Sequence, residues 1–460
     1  MKSKLLLING EIFDSVNKKF FHGSVMTHGD KIERVIKGHI TETMLAQISE
    51  DCNIVDVGGK IISPGFIDVH SHEDMFSASV GCPVADDMAR MGVTTCVAGN
   101  CGTMMQSLDE FLHHISKMPV PVNYVFYSGY NYIRNEVGVD PYGTPSEENI
   151  TKIAEQINET LRKGTIGISF GLEYAPGITI EEIKKVFSKL DDKELKISIH
   201  IRDDKDASIS AVEEAIEIGA AVNSPVFISH IGSMSAYGQM RKVYEIIQRE
   251  REKGIQIFVD CYPYDAFATT IGSAVFDEAA IRDKKFTFDK MLFATGPFIG
   301  KYCDEQMYKE SREKYPEELV VGFGMNEDEI RYAISREDTM VGSDGFVMGN
   351  NGHPRTAGTF PRFLGKYVRQ EEIMTLEKAL YKITLQVAEA VGIHQKGVIE
   401  KGKDADLVVF DPKVIIDQAS YTDVNKPPLG IEMVIVNGQV AVEKGNIIAR
   451  NGNFIPKDKL

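Results

Sequence analysis

Eight short runs along the middle of the chain are apolar at nearly every position, without the alternation of a half-buried strand. They run from Ile61 to Val69, Val93 to Gly99, Pro121 to Gly129, Gly164 to Leu172, Lys196 to His200, Val226 to His230, Gly254 to Tyr264 and Thr339 to Gly345. Between most of them the apolar positions recur at helical spacing, as in Ser146 to Arg162, Ile180 to Leu190, Ser208 to Ile218 and Gln239 to Lys253. Fully apolar strands alternating with amphipathic helices predict a parallel sheet covered on both faces, and eight such units predict a closed TIM-like (β/α)8 barrel, an α/β fold. The barrel is assigned to residues 61–397.

Two regions break this rhythm. Residues 1–60 alternate apolar and polar positions around Gly and Asp turns, as in Leu5-Leu-Leu-Ile-Asn-Gly10, and the same texture returns over 398–460. Both termini are therefore expected to build one small β-sandwich domain beside the barrel. The interval from Asp265 to Asp338 is far longer than a crossover helix needs. An insertion at 265–338 would overhang the C-terminal face as a lid or pocket wall.

The chemistry sits where the apolar runs stop. The first ends in His70-Ser-His72; residues i and i+2 of a strand share a side, so both imidazoles can converge on one ion. Other runs lead to Cys101, Glu173, His200, His230 and Asp344, and functional groups of such a barrel sit at these C-terminal strand ends. Four imidazoles, a thiolate and a carboxylate suit zinc, and two ions can share them. Water on such an ion loses its proton near neutral pH, and Asp344 is placed to take that proton and pass it to a departing nitrogen. His113, His114 and His394 lie in polar, helix-like surroundings and are read as surface residues.

Composition narrows the classes further. A chain of 460 residues with 43% hydrophobic content buries a large core, and a net charge of −16 repels polyphosphates, so nucleic acid is not an expected partner. No apolar run approaches the roughly 18 residues of a membrane span, and the chain is expected in the cytoplasm. The cysteines at 52, 82, 96, 101, 261 and 303 are accordingly read as reduced thiols. Whether copies of the chain associate is left open.

Pro64-Gly65-Phe-Ile-Asp-Val-His70-Ser-His72, the strand-end histidines and the late aspartate resemble the amidohydrolase superfamily. Asn100-Cys101-Gly102, Gly171-Leu-Glu173-Tyr174-Ala-Pro-Gly177, Asp260-Cys-Tyr262-Pro263-Tyr264 and the block from His353-Pro-Arg355 to Arg362 are similar, more narrowly, to the D-aminoacylases, the N-acyl-D-amino-acid deacylases. The resemblance implies zinc-dependent cleavage of the amide of an N-acyl-D-amino acid, a small-molecule substrate. It implies that Cys101, His200 and His230 hold a tight zinc, that His70 and His72 offer a second position, and that Asp344 is the acid/base and a further ligand. Glu173 stands where many superfamily members carry a bridging lysine, as an outer or alternative ligand. The family commonly has a lysine shortly after the sixth-strand histidine, where this chain reads His230-Ile231-Gly232-Ser233. Substrate recognition is then expected from Arg202, Tyr264, His353, Arg355 and Tyr174. The alternative is a cyclic-amide hydrolase of the hydantoinase or dihydroorotase kind, disfavoured by Cys101 and by the absence of a fourth-strand lysine.

Overall fold

The computed structural model describes residues 4–46, 48, 52–75 and 81–460. The eight runs form the expected parallel strands: Phe66–Asp68, Val93–Ala98, Asn123–Phe126 continued by Ser128–Gly129, Gly167–Gly171, Lys196–His200, Val226–Ile228, Ile257–Cys261 and Thr339–Val341. They pair in chain order within two sheets. Ile166 N donating to Phe126 O (2.8 Å) joins the third strand to the fourth. Asp344 N on His70 O (2.8 Å) and the Ser71–Gly345 bridge join the eighth to the first. The barrel is therefore closed.

Helices follow the predicted spacing. Glu147–Arg162 starts at a capping box in which Ser146 and Asn149 exchange hydrogen bonds, and its Ile150, Ile153, Ala154 and Ile157 face the core. Helices Ile180–Ser188, Ser208–Val222 and Met240–Glu252 succeed the fourth, fifth and sixth strands and bury Ile183, Val212 and Val243 in the same way.

The termini do build a β structure, with two departures from expectation. Its strands are hydrogen-bonded into one continuous nine-stranded sheet, with Lys4–Asp14 near its centre, whose two halves pack Leu7, Val25, Ile62, Leu407 and Ile435 into one core. Ile61–Pro64 belongs to this sheet, between Lys4–Asp14 and Leu407–Phe410, so the expected boundary at residue 60 falls inside it. Ser63 and Asp68 apart, the run is apolar from Ile61 to Val69, and nothing in its polarity marks the crossing; Gly65 does, because a Cβ there would lie 2.1 Å from Thr94 Oγ1. The chain after Gln439–Glu443 and Asn446–Ile447 leaves the sheet altogether. Gly452 N bonds Val120 O (2.8 Å), Ile455 N bonds Tyr124 O (2.8 Å) and Lys457 N bonds Gly164 O (2.9 Å), so the tail lies across the N-terminal ends of the third and fourth strands. Residues 1–3, 47 and 49–51 of the expected β span lie outside the described residues.

Within 265–338, Ala266–Thr270, Met291–Phe293 and Leu319–Phe323 form a three-stranded antiparallel sheet over a core of Ile271, Phe276, Met291, Phe293, Tyr308 and Val320. The helix Glu327–Ser335 then leads back to the eighth strand.

Candidate metal centre

Seven side chains singled out from the sequence meet at the C-terminal mouth of the barrel, all of them buried: His70, His72, Cys101, Glu173, His200, His230 and Asp344. Cys101 Sγ lies 3.3 Å from His70 Nε2 and 3.4 Å from His230 Nε2. Asp344 Oδ1 lies 3.1 Å from His72 Nε2 and 3.6 Å from His70 Nε2. Ligand atoms of His70, Cys101, His230 and Asp344 all fall within 4.8 Å of one another.

The backbone bends unusually to achieve this. Cys101 (φ 56°), His230 (φ 32°) and Asp344 (φ 50°) all adopt the left-handed conformation, which costs a non-glycine residue on the order of 1 kcal/mol or more and persists where surrounding structure enforces it. Around Cys101 the enforcement is visible. Asn100 Nδ2 donates to Val97 O (2.8 Å), its Oδ1 accepts from Ser198 Oγ (2.9 Å), and a Cβ on Gly102 would lie 2.1 Å from Asn131 Oδ1.

Three imidazoles have one nitrogen tied outward. His70 Nδ1 meets Asp260 Oδ2 (3.3 Å), His230 Nδ1 meets Ser233 Oγ (2.9 Å), and His200 Nε2 meets Glu173 Oε2 (2.9 Å). Such outer partners fix the tautomer and aim the other nitrogen at the metal. Among the described residues, His200 Nδ1 is buried with no hydrogen-bond partner, a costly state for a polar atom unless something is bound there. Burial pushes the Cys101 thiol up, but the charges of His70 and His230 and a hydrogen bond from His230 outweigh it and hold it well below its ordinary value. The thiolate is the metal-binding form. A thiolate with inward imidazole lone pairs is a zinc donor set, and these residues fit that ion.

Both oxygens of Glu173 are engaged by side chains: one accepts from His200 and the other meets Lys284 Nζ, an arrangement suited to an outer partner of His200.

The substrate candidates divide. Arg355 is buried, with Nη1 2.8 Å from Asp344 Oδ2 and its guanidinium 4.8 Å from the Tyr262 ring centre. Against burial, Arg355 first and then His230 and His72 hold the Asp344 carboxyl well below the usual range. Tyr174 stacks 4.4 Å from the His200 ring. Arg355 and Tyr174 line a cavity of about 280 Å³ with His72, Cys101, Asp344 and Phe346. Arg202, by contrast, is spent: Nε and Nη2 grip Glu214, and Nη1 and Nη2 reach Pro176 O (2.9 Å) and Ile178 O (2.7 Å). It staples a loop and has no fork to offer a carboxylate. Tyr264 and His353 stand one layer back. The Tyr264 hydroxyl faces Pro354 O and Asp417, while His353 Nδ1 accepts from Arg355 N (3.0 Å), which sets the start of the arginine's helix.

Sequence reasoning assigned no role to Asp68, Asp260 or Lys284. Asp68 accepts from His70 N (3.1 Å) and Ser343 N (2.9 Å), clamping the first strand to the eighth, and burial pushes its carboxyl up to about 7. Asp260 also accepts from His230 N (2.9 Å). Both aspartates interrupt apolar strands, a cue in itself, since a buried charge needs partners. Lys284 carried no cue, because only the docking of the inserted segment brings it here.

The sequence profile of the Amidohydrolase family matches residues 61–238 and 324–441, leaving out most of the inserted segment. A D-aminoacylase of Alcaligenes xylosoxydans xylosoxydans is 30% identical over 94% of this chain and 93% of its own. The structure of an N-acyl-D-glutamate deacylase from Bordetella bronchiseptica, complexed with zinc and a phosphonate mimic of the tetrahedral intermediate, superposes with a TM-score of 0.86 at 26% identity, covering 99% of this chain and 100% of that one. A D-aminoacylase structure with a binuclear metal centre, covering 98% and 99%, gives the same TM-score and identity. Barrel, donor set and relatives agree: the chain belongs to the amidohydrolase family, in its D-aminoacylase branch of metal-dependent hydrolases of non-peptide carbon–nitrogen bonds.

Proposed function

We propose that the chain is a zinc-dependent deacylase of N-acyl-D-amino acids, with Cys101, His200 and His230 holding the metal and Asp344 moving the proton. The observation that carries the assignment is the pairing, in one closed mouth, of an inward thiolate–imidazole set with an Asp344–Arg355 ion pair. When bound, zinc supplies the acidification of water and the polarisation of the scissile carbonyl. Asp344, kept ionised by Arg355, accepts a proton from the attacking water at a carboxylate oxygen and returns it to the leaving nitrogen. Arg355 holds the substrate carboxylate, a contact its planar fork suits. Tyr174 and Phe346 wall the cavity and keep water out. With the carboxylate on Arg355 and the amide over Asp344, inverting the α-carbon drives the side chain into protein, and this gives the D preference.

Among the described residues, Arg355 is the one arginine or lysine lining the cavity, whose other walls are uncharged: Met105, Ala268, Leu319 and Phe346 with the hydroxyl side chains of Thr103, Thr269, Thr270 and Ser273, beside the catalytic groups. One cation matches one carboxylate, so an uncharged amino-acid side chain suits the site better than the D-glutamate of the Bordetella relative. All six cysteines are free thiols, which supports a cytoplasmic location. Hydrolysis rates on matched acyl-D and acyl-L pairs of methionine, leucine and glutamate test the reading. Equal rates for enantiomers remove the D assignment, and a preference for glutamate removes the side-chain assignment.

A further inference from the structure

Besides walling the cavity, the inserted segment places one cation behind the metal centre. Lys284 follows the short helix Glu278–Asp283, and its ammonium meets Glu173 Oε1, Asp203 Oδ1 (3.2 Å) and Asp204 Oδ1 (3.1 Å). Glu173 follows the fourth strand and the two aspartates follow the fifth, so three barrel carboxylates surround one cation supplied from outside the barrel. Oxygens of those three carboxylates lie within 4.8 Å of one another. The docking is secured around it. Lys205 Nζ donates to the Lys284 carbonyl and stands 5.1 Å from the Phe286 ring centre and 5.3 Å from that of Tyr237.

The other oxygen of Glu173 holds His200 Nε2, and on the far side of that ring lies the buried, unpartnered Nδ1. The contacts form a line from the inserted segment to the metal: Lys284, Glu173, His200. We propose that Lys284 is a positioning residue which keeps Glu173 on His200 and thereby aims His200 Nδ1 at the zinc. The proposal rests on His200 being a zinc ligand, as assigned above. Its physical basis is repulsion. Three crowded carboxylates in a partly desolvated pocket push one another apart unless a cation sits among them. Without the ammonium, Glu173 has no reason to stay between Asp204 and His200, and an unheld imidazole turns about its χ2 torsion, which carries Nδ1 away. The inserted segment and the metal are then coupled, because segment and ring are tied to the same carboxylate.

Zinc affinity, measured on the full-length chain by competition with a chromophoric chelator, reads this directly. Parent protein that fails to hold zinc tightly defeats the metal assignment itself and is recognised before any variant is compared. With a tight parent site, Lys284→Met is expected to weaken zinc about ten- to a hundredfold, the range for loss of a partner behind a ligand. Lys284→Arg, which keeps the cation, is expected to stay within a few-fold of parent. The decisive comparison is a double-mutant cycle: in a Glu173→Gln background, Lys284→Met should cost nothing further, because its route to the metal is already cut. Equal losses from Lys284→Met in both backgrounds, or parent-like affinity for the single variant, overturn the proposal. If Lys284→Met does not fold, Lys284→Gln takes its place in the cycle under the same criteria.

Discussion

His200 and His230, at the ends of the fifth and sixth strands, each have one nitrogen committed at 2.9 Å to an outer partner and the other turned to Cys101 or left unpartnered. His72, after the first strand, is held differently: Nε2 is 3.1 Å from Asp344, while among the described residues Nδ1 has only Thr103 Oγ1 at 3.5 Å. One side of the mouth is pre-arranged for an ion. On the other side the His72 nitrogen and the Asp344 carboxylate claim each other, so an ion taken up there would have to compete with His72 for that carboxylate oxygen.

Substitutions on the two sides should separate accordingly. The largest effect is expected from Cys101→Ala, which should strip the tightly bound zinc and take activity down by more than the ten- to hundredfold typical of outer partners. His72→Asn should leave one equivalent of zinc in place. Elemental analysis of purified variants decides this, and zinc-free His72→Asn protein would erase the distinction between the sides. Next comes Asp344→Asn, expected to lower kcat by roughly 10²- to 10⁴-fold with zinc retained; near-parental turnover would reduce Asp344 to a ligand.

Arg355→Ala should act mainly on KM, about ten- to a hundredfold, the equivalent of a lost charge-assisted contact of about 1.5–3 kcal/mol. It also has a pH signature. Arg355 is the foremost group depressing the Asp344 carboxyl, so its removal raises that pKa and should move the acid limb of kcat/KM to higher pH. An unmoved limb would mean that the limb reports another group.

The smallest effect concerns stability. Asp74, just beyond His72, accepts from Val84 N (2.7 Å) and Ala85 N (3.0 Å), and burial pushes its carboxyl up to about 7 from an ordinary value of 3.8. Between those values the folded chain keeps a proton that the unfolded chain releases, so this group favours folding most at acid pH and progressively less as pH rises through the window. Asp74→Asn lacks that loss. The Tm of the variant minus that of the parent should climb from about pH 4 to about pH 7, and a difference independent of pH would show that Asp74 titrates normally.

The barrel was legible because burial on both faces leaves an apolar run, and the run stops where chemistry begins; His200 and His230 were readable for that reason. Glu173 was placed correctly at a strand end, yet its direction depends on Lys284, whose position follows from packing between segments far apart in sequence. Arg202 misled for a related reason: Glu214, which consumes it, lies on the following helix, and only the phase of that helix about the barrel brings the two together. The left-handed turns at Cys101, His230 and Asp344 have no signature in polarity at all, although Gly102 and Gly345 sit beside two of them.

The tail across the base of the third and fourth strands bears on biosynthesis. Asn123–Phe126 emerges early from the ribosome but waits for Asn453 and Ile455 to satisfy Tyr124, and Ser15 waits for the carbonyl of Gly397. Neither the barrel floor nor the terminal sheet can close before residues 407–455 have been made, so a nascent chain carries open strand edges until then.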